Sequence, residues 1–98
     1  MEINYTVHAA NALMDLVSFI EDKNTKGAGL RWLKNFEIFL EGYLSHHAKI
    51  KPCHNATFKN LNLKCIYYNN WLIAFSDNED SILIEAIVLS KRSIAESG

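Results

Sequence analysis

The sequence predicts an α+β domain in which two helices pack on one face of a four-stranded sheet. Three observations predict it: an alternating apolar stretch near the N-terminus, two amphipathic stretches after it, and three apolar runs separated by turn residues in the second half. One sheet covered by an antiparallel helical hairpin is the simplest arrangement that buries all of these residues. The chain has 98 residues, so we expect residues 1–98 to form a single domain.

The first two elements are an N-terminal strand and a helix. Residues 3–8 alternate in polarity, with Ile3, Tyr5 and Val7 on one side, as expected of a strand with one buried face. Residues 9–24 then place apolar side chains on one side of a helix and polar side chains on the other. Two glycines follow closely, and they predict that the helix ends before them.

The second predicted helix, residues 30–47, carries a wide apolar stripe. At ~100° per residue the stripe covers about half of the circumference, which is more than a surface helix needs. Its apolar residues are Leu30, Trp32, Leu33, Phe36, Phe39, Leu40, Tyr43 and Leu44. This width predicts contacts with both the first helix and the sheet. A loop is predicted over residues 48–60, where Pro52 breaks the pattern.

The remaining elements are predicted to form a three-stranded antiparallel meander. Its strands span residues 61–68, 71–76 and 81–89. Asn69 and Asn70 separate the first two strands and suit a two-residue hairpin turn, because asparagine tolerates a positive φ. An acidic turn separates the second strand from the third.

Both faces of this meander are predicted to be apolar. In a two-residue hairpin Tyr68 lies opposite Trp71 and Tyr67 lies opposite Leu72, and opposite residues share a face. The face suited to packing against the helices holds Ile66, Tyr68, Trp71, Ile73 and Phe75. The other face, which we call the outer face, is predicted to hold Leu63, Cys65, Tyr67, Leu72, Ala74, Leu83, Ile87 and Leu89. Either another protein covers the outer face, or the chain's own C-terminal tail or 46–62 loop does so.

The composition argues for a folded protein without a membrane anchor. Apolar residues make up 49% and charged residues 21% of the chain, which excludes a disordered polypeptide. The net charge of −1 provides no bulk attraction to nucleic acid. No segment approaches the ~20 apolar residues of a membrane span, and no apolar leader is recognisable at the N-terminus. We therefore expect a cytoplasmic protein.

The cysteines and histidines predict neither a disulfide scaffold nor a metal site. Cys53 and Cys65 are too few for a scaffold, so we expect both thiols to be reduced. The spacing of His46, His47, Cys53 and His54 matches no recognised zinc pattern. No bound metal and no cofactor are therefore expected.

Taken in order, four segments resemble the RelE/ParE toxin superfamily. They are "YTVHAANALMDLVSFIED", "GAGLRWLKNFEIFLEGYL", "LKCIYYNNWLIAF" and "SILIEAIVLSKRSI", and together they run from about Tyr5 to Ile94. The resemblance implies the toxin of a type II toxin–antitoxin, or plasmid stabilisation, module that a cognate antitoxin neutralises. In this superfamily the RelE branch cleaves mRNA on the ribosome, whereas the ParE branch poisons DNA gyrase through protein contacts.

The set of residues expected of the nuclease branch is incomplete in this sequence. Leu72 stands where that branch typically has arginine, and Leu89 stands where several members have histidine. Neither leucine can donate to a phosphate or transfer a proton. The resemblance therefore favours the ParE branch, with a ribosome-dependent endoribonuclease and a degenerate non-toxic binding module as alternatives. A nuclease would use Lys64, Arg92, Tyr67 and His54.

The expected partners follow from this reading. The antitoxin is predicted to bind the outer face through Leu63, Tyr67, Leu72, Ala74, Leu83, Ile87 and Leu89. Lys91 and Arg92 are the candidates for contact with the target, DNA gyrase. A homodimer is a further candidate assembly, and nucleic acid is a partner only in the nuclease alternative.

Overall fold

The computed structural model describes residues 2–45, 50–78 and 80–89 and has the predicted α+β architecture. Two long helices pack on one face of a four-stranded sheet, and a short third helix lies in the connection that was predicted to be a loop. The elements are β1 (Glu2–Tyr5), α1 (Val7–Lys23), α2 (Ala28–Leu44), α3 (Ala56–Asn60), β2 (Lys64–Tyr68), β3 (Trp71–Asp77) and β4 (Ser81–Leu89).

The sheet has the strand order β1-β4-β3-β2. Strands β2, β3 and β4 form the predicted antiparallel meander, and β1 adds to β4 in the parallel direction. Strand β1 is shorter than predicted because Thr6 caps α1. The Thr6 hydroxyl accepts a hydrogen bond of 3.1 Å from the Ala9 N–H, which ends the strand and starts the helix at Val7.

Helix α3 corrects the prediction of a plain loop after the second helix. The Asn55 side chain caps it by accepting a hydrogen bond of 3.2 Å from the Phe58 N–H. Asn62 then adopts a φ of 60°, a left-handed conformation that asparagine tolerates better than most residues. This turn directs the chain back into β2 through Leu63.

A β-bulge in β4 decides which side chains of that strand face the helices. Ala74 pairs with Ala86, whereas the next residue of β3, Phe75, pairs with Ile84, so Glu85 is the extra residue. One inserted residue reverses the alternation of side chains beyond it. Ile84 and Ile87 therefore both lie on the helix side, although they are three positions apart.

The main core lies between the helices and the sheet. Helix α2 contributes Phe36, Leu40 and Leu44, all buried, and the three strands of the meander contribute isoleucines and Phe75. The predicted helix-side residues Ile66, Tyr68, Trp71, Ile73 and Phe75 all belong to this cluster, so that part of the prediction is confirmed. The ring of Tyr68 lies 5.3 Å from that of Phe36 and 4.7 Å from that of Phe39, measured between centroids.

Glu21 of α1 joins the two long helices electrostatically. Helix α2 begins after Gly27, which has a φ of 87° and no side chain to cap the helix. The Glu21 carboxylate accepts hydrogen bonds from the N–H groups of Gly27 (2.7 Å) and Gly29 (2.9 Å) instead. These two hydrogen bonds, with a smaller contribution from Arg31 and against a desolvation effect, hold the pKa of Glu21 below its ordinary value.

We expect Glu21→Gln to destabilise the protein at neutral pH. Because folding lowers the pKa of Glu21, its contribution is fully present above the unfolded-state pKa of about 4.3. It is lost as the pH falls through the folded-state pKa. Urea midpoints of the wild type and the variant should therefore differ at pH 7 and converge once the pH has fallen below the lowered folded-state pKa. Glu41→Gln, at an exposed position of α2, is the control. A gap that persists unchanged in acid would contradict this role of Glu21.

Candidate partner-binding groove and the outer face

An apolar groove lies between α1 and the C-terminal end of β4. Its volume is about 530 Å³, and it is lined by Ala12, Asp15, Leu16, Phe19, Trp71, Ile87 and Leu89. Two of its large apolar side chains are exposed: Phe19 to 56% and Leu89 to 53%. We call this surface the α1–β4 groove. It is apolar throughout except for the Asp15 carboxylate.

The groove runs beside the C-terminal half of β4, whose edge on the β1 side is open. Strand β1 pairs only with residues Ser81 to Ile84 of β4. The chain then turns into α1, where the Thr6 N–H donates to the Ile84 carbonyl and the Thr6 hydroxyl donates to the Glu85 carbonyl. Within the ranges 2–45, 50–78 and 80–89, no strand pairs with residues 86–89 on this side. An extended peptide could therefore continue the line of β1 there.

Ile87 and Leu89 line the groove, so their predicted placement on the outer face is wrong. Ile87 pairs with Ile73 and Leu89 pairs with Trp71, and both partners face the helices. The prediction assumed an unbroken alternation through β4, which the bulge at Glu85 interrupts.

Much of the outer face is covered by the chain itself. Leu63 and Ala74 are only 2% and 0% exposed and pack with Cys53 and Ala86 in a second apolar cluster. Phe58 of α3 packs against this cluster, so residues 53–63, which we call the cover segment, lie over the centre of the face. Leu63 and Ala74 therefore cannot contact a partner in this conformation. Of the two alternatives, the chain's own loop covers this part of the face.

A disulfide bond joins Cys53 to Cys65, so the expectation of two reduced thiols is wrong. Their Cα atoms lie 4.8 Å apart. Pro52 forms a bridge with Lys64, and the Cys53 N–H donates to the Leu63 carbonyl over 3.0 Å, which brings the two cysteines together. A count of cysteines holds no information on this contact, because it depends on the path of the loop. Because disulfides are rare in the reducing cytosol, where those that occur are usually transient, the bond does not support the expected cytoplasmic location.

The remainder of the outer face includes the exposed Tyr67, Leu83 and Val88 and the half-buried Leu72. Tyr67 and Leu72 border a hollow of about 170 Å³, which we call the outer-face hollow. The other residues that line it are Lys51, Pro52, Cys53, His54, Asn55 and Cys65. Contrary to the prediction that carbon alone lines this face, a lysine and a histidine stand beside Leu72. The polar side chains come from the connection that precedes β2, whose path the strand pattern does not reveal.

The structure separates the candidate nuclease residues. Tyr67 and His54 line the hollow together. Lys64 lies opposite Phe75 on the helix side of the sheet, and its ammonium group forms an ion pair of 2.9 Å with the Asp77 carboxylate. Arg92 lies outside the described residues. Lys51, which was not among the predicted nuclease residues, lines the hollow with His54 and Tyr67.

The structure tests the predictions for only some of the other site residues. His46, His47, Lys91 and Arg92 lie outside the described residues. Cys53 is bonded to Cys65 and is therefore not a thiolate ligand. In the described part of the chain, no three histidine, cysteine or acidic side chains cluster as metal ligands would.

The chain matches no known protein family model, and no curated protein is detectably similar to it. None of the helices in the described ranges has the length and hydropathy that a membrane span requires.

Proposed function

We propose that this protein is the toxin of a type II toxin–antitoxin module. It acts in the manner of the ParE branch, through protein contacts on DNA gyrase, and a cognate antitoxin silences it. The observation that carries the proposal is the α1–β4 groove with its exposed Phe19 and Leu89, because apolar clefts of this kind accept apolar side chains of a partner.

The groove and the open edge of β4 together suit an extended antitoxin segment. Backbone groups of such a segment would pair with residues 86–89, in line with β1. Alternate side chains of the added strand would then enter the groove between Phe19 and Leu89. Asp15 at the groove would favour a segment with a lysine or arginine near its apolar residues.

The arrangement of charged side chains supports binding over catalysis. Cleavage of RNA by a metal-independent route needs cations at the phosphate and a positioned acid and base. Lys64, which the nuclease reading requires, forms an ion pair with Asp77 on the helix side of the sheet. The apolar Leu72 is one of the residues that line the outer-face hollow.

A second candidate is a RelE-like endoribonuclease, and one observation favours it. The hollow beside Leu72 brings together Lys51, His54 and Tyr67. An ammonium group could bind a phosphate there, and an imidazole could act as general base toward a ribose hydroxyl. The third reading, a non-toxic binding module, requires only the groove.

The three readings are separated by inducing the protein alone in bacterial cells. We expect growth arrest with filamentation and a DNA-damage response, and we expect intact mRNA. The double variant Lys51→Ala with His54→Ala should arrest growth as the wild type does, and Lys59→Ala on α3 is the matched control. Arrest of translation with cleaved mRNA that the double variant abolishes would establish the nuclease instead. Harmless expression of the soluble wild type would leave only the binding module.

A further inference from the structure

The disulfide between Cys53 and Cys65 opens into the outer-face hollow. Both cysteines contribute to the lining of the hollow, and Cys65 is partly exposed whereas Cys53 is only 2% exposed. We propose that this bond is a reversible thiol-exchange site whose reduction releases the cover segment from the sheet. The inference does not depend on the function proposed above, because it concerns only the chain's own conformations.

Among the described residues, few other contacts hold the cover segment in place. None of the residues of α3 is buried, and Phe58 is its only member that packs against the second apolar cluster. The hydrogen bond from the Leu63 N–H to the Phe58 carbonyl lies within the segment and does not attach it to the sheet. Besides the disulfide, attachment rests on the pairing around Pro52 and on the buried Leu63 side chain.

The second cluster is separate from the main core. Cys53, Leu63, Ala74 and Ala86 lie on the outer face, whereas the helices pack on the opposite face. Loss of the disulfide should therefore permit a local opening of the cover segment without unfolding of the helices. The opening would uncover Ala74 and the residues around it, next to the half-buried Leu72.

The exchange reaction balances with a small thiol as the reductant. A thiolate attacks the Sγ atom of Cys65, the bond between the protein sulfurs breaks, and Cys53 leaves as a thiolate and takes up a proton. A second thiolate then attacks the mixed disulfide and releases Cys65. In total, one protein disulfide and two small thiols become two protein thiols and one small disulfide.

The lining of the hollow favours this reaction. Lys51 and His54 line the same hollow as the two cysteines. A cation near a cysteine stabilises the thiolate and so improves it as a leaving group. The positive charge of Lys51 would also attract a reductant that carries carboxylates, such as glutathione, more than it attracts a neutral thiol.

Amide hydrogen exchange of the oxidised and reduced protein tests the release. After reduction, the amides of residues 53–63, including the Cys53 N–H, should exchange at least about tenfold faster, and those of α1 and α2 should not change. The double variant Cys53→Ser with Cys65→Ser should reproduce the reduced pattern. Unchanged exchange in the segment would overturn the proposal. Equally faster exchange of all amides would overturn it as well, since the disulfide would then stabilise the whole fold and not only the cover segment.

The rate of reduction tests the role of the hollow. Lys51→Gln and His54→Gln should each slow reduction by glutathione several-fold, whereas Lys51→Gln should affect reduction by neutral 2-mercaptoethanol much less. Lys59→Gln, on the exposed side of α3, is the matched control. A native disulfide that resists millimolar glutathione would refute the exchange site, and so would equal rates in all three variants and the wild type.

Discussion

Phe19→Asp and Leu89→Asp are each expected to weaken binding of the proposed antitoxin by about 100-fold or more, which corresponds to about 3 kcal/mol. Each substitution removes an apolar contact and buries an unpaired carboxylate when the partner covers the α1–β4 groove. Both side chains are more than half exposed in the free protein, so neither variant should unfold it. The measurement is calorimetric titration with the cognate antitoxin.

Two further variants locate the binding surface. Ile38→Asp introduces the same charge at an exposed apolar position of α2, outside the groove, and should leave the affinity unchanged. Leu72→Asp examines the outer face, where the sequence alone placed the partner. If both groove variants bound with wild-type affinity and Leu72→Asp bound much more weakly, the interface would lie on the outer face and not in the groove.

Gly29→Ala is expected to lower the free energy of unfolding by about 3 kcal/mol. A Cβ atom at this position would lie 2.5 Å from the Val17 carbonyl oxygen and 3.0 Å from a Val17 methyl group. Because the first of these atoms belongs to the backbone of α1, the two helices must move apart to accept the methyl group. The same movement would lengthen the hydrogen bond from the Gly29 N–H to Glu21. Urea denaturation measures the decrease in the free energy of unfolding.

Gly42→Ala is the matched control because it makes the same chemical change in the same helix. A Cβ atom at Gly42 meets no atom within 4 Å. Alanine is a better helix former than glycine, so this variant should gain about 0.5–1 kcal/mol. Gly29→Ala should lower the urea midpoint and Gly42→Ala should raise it. If both variants shifted the midpoint in the same direction, close packing of α1 against Gly29 would not explain a decrease in stability.

The hairpin between β2 and β3 was predictable because its register depends on local residues. Asn69 adopts the positive φ that the turn requires, at 54°, and the observed pairs Tyr68–Trp71 and Tyr67–Leu72 are the predicted ones. With the turn in place, alternation assigns every side chain of the two strands to a face. No such signal marks the bulge at Glu85, since its cause is the pairing of β4 with its neighbours.

The proposed binding surface was harder to predict than the fold. Alternation indicated correctly that both faces of the sheet are apolar, but it could not tell a surface left for a partner from one covered by the chain itself. Leu63 and Ala74 illustrate the difference, since residues distant along the chain bury both. Phe19 and Leu89 formed no recognisable motif, because they come from opposite ends of the chain and meet only after folding.

The sequence by itself determined the order of the long helices and the strands, the helical hairpin, the meander and the apolar residues of β2 and β3 that face the helices. These features follow from periodicity and turn chemistry, which act between residues near each other in the chain. Only the tertiary structure decided the bulge, the disulfide between Cys53 and Cys65, the capping of α2 by Glu21 and the position of the groove. Each of these depends on which distant segments come into contact, and packing of the whole chain selects those contacts.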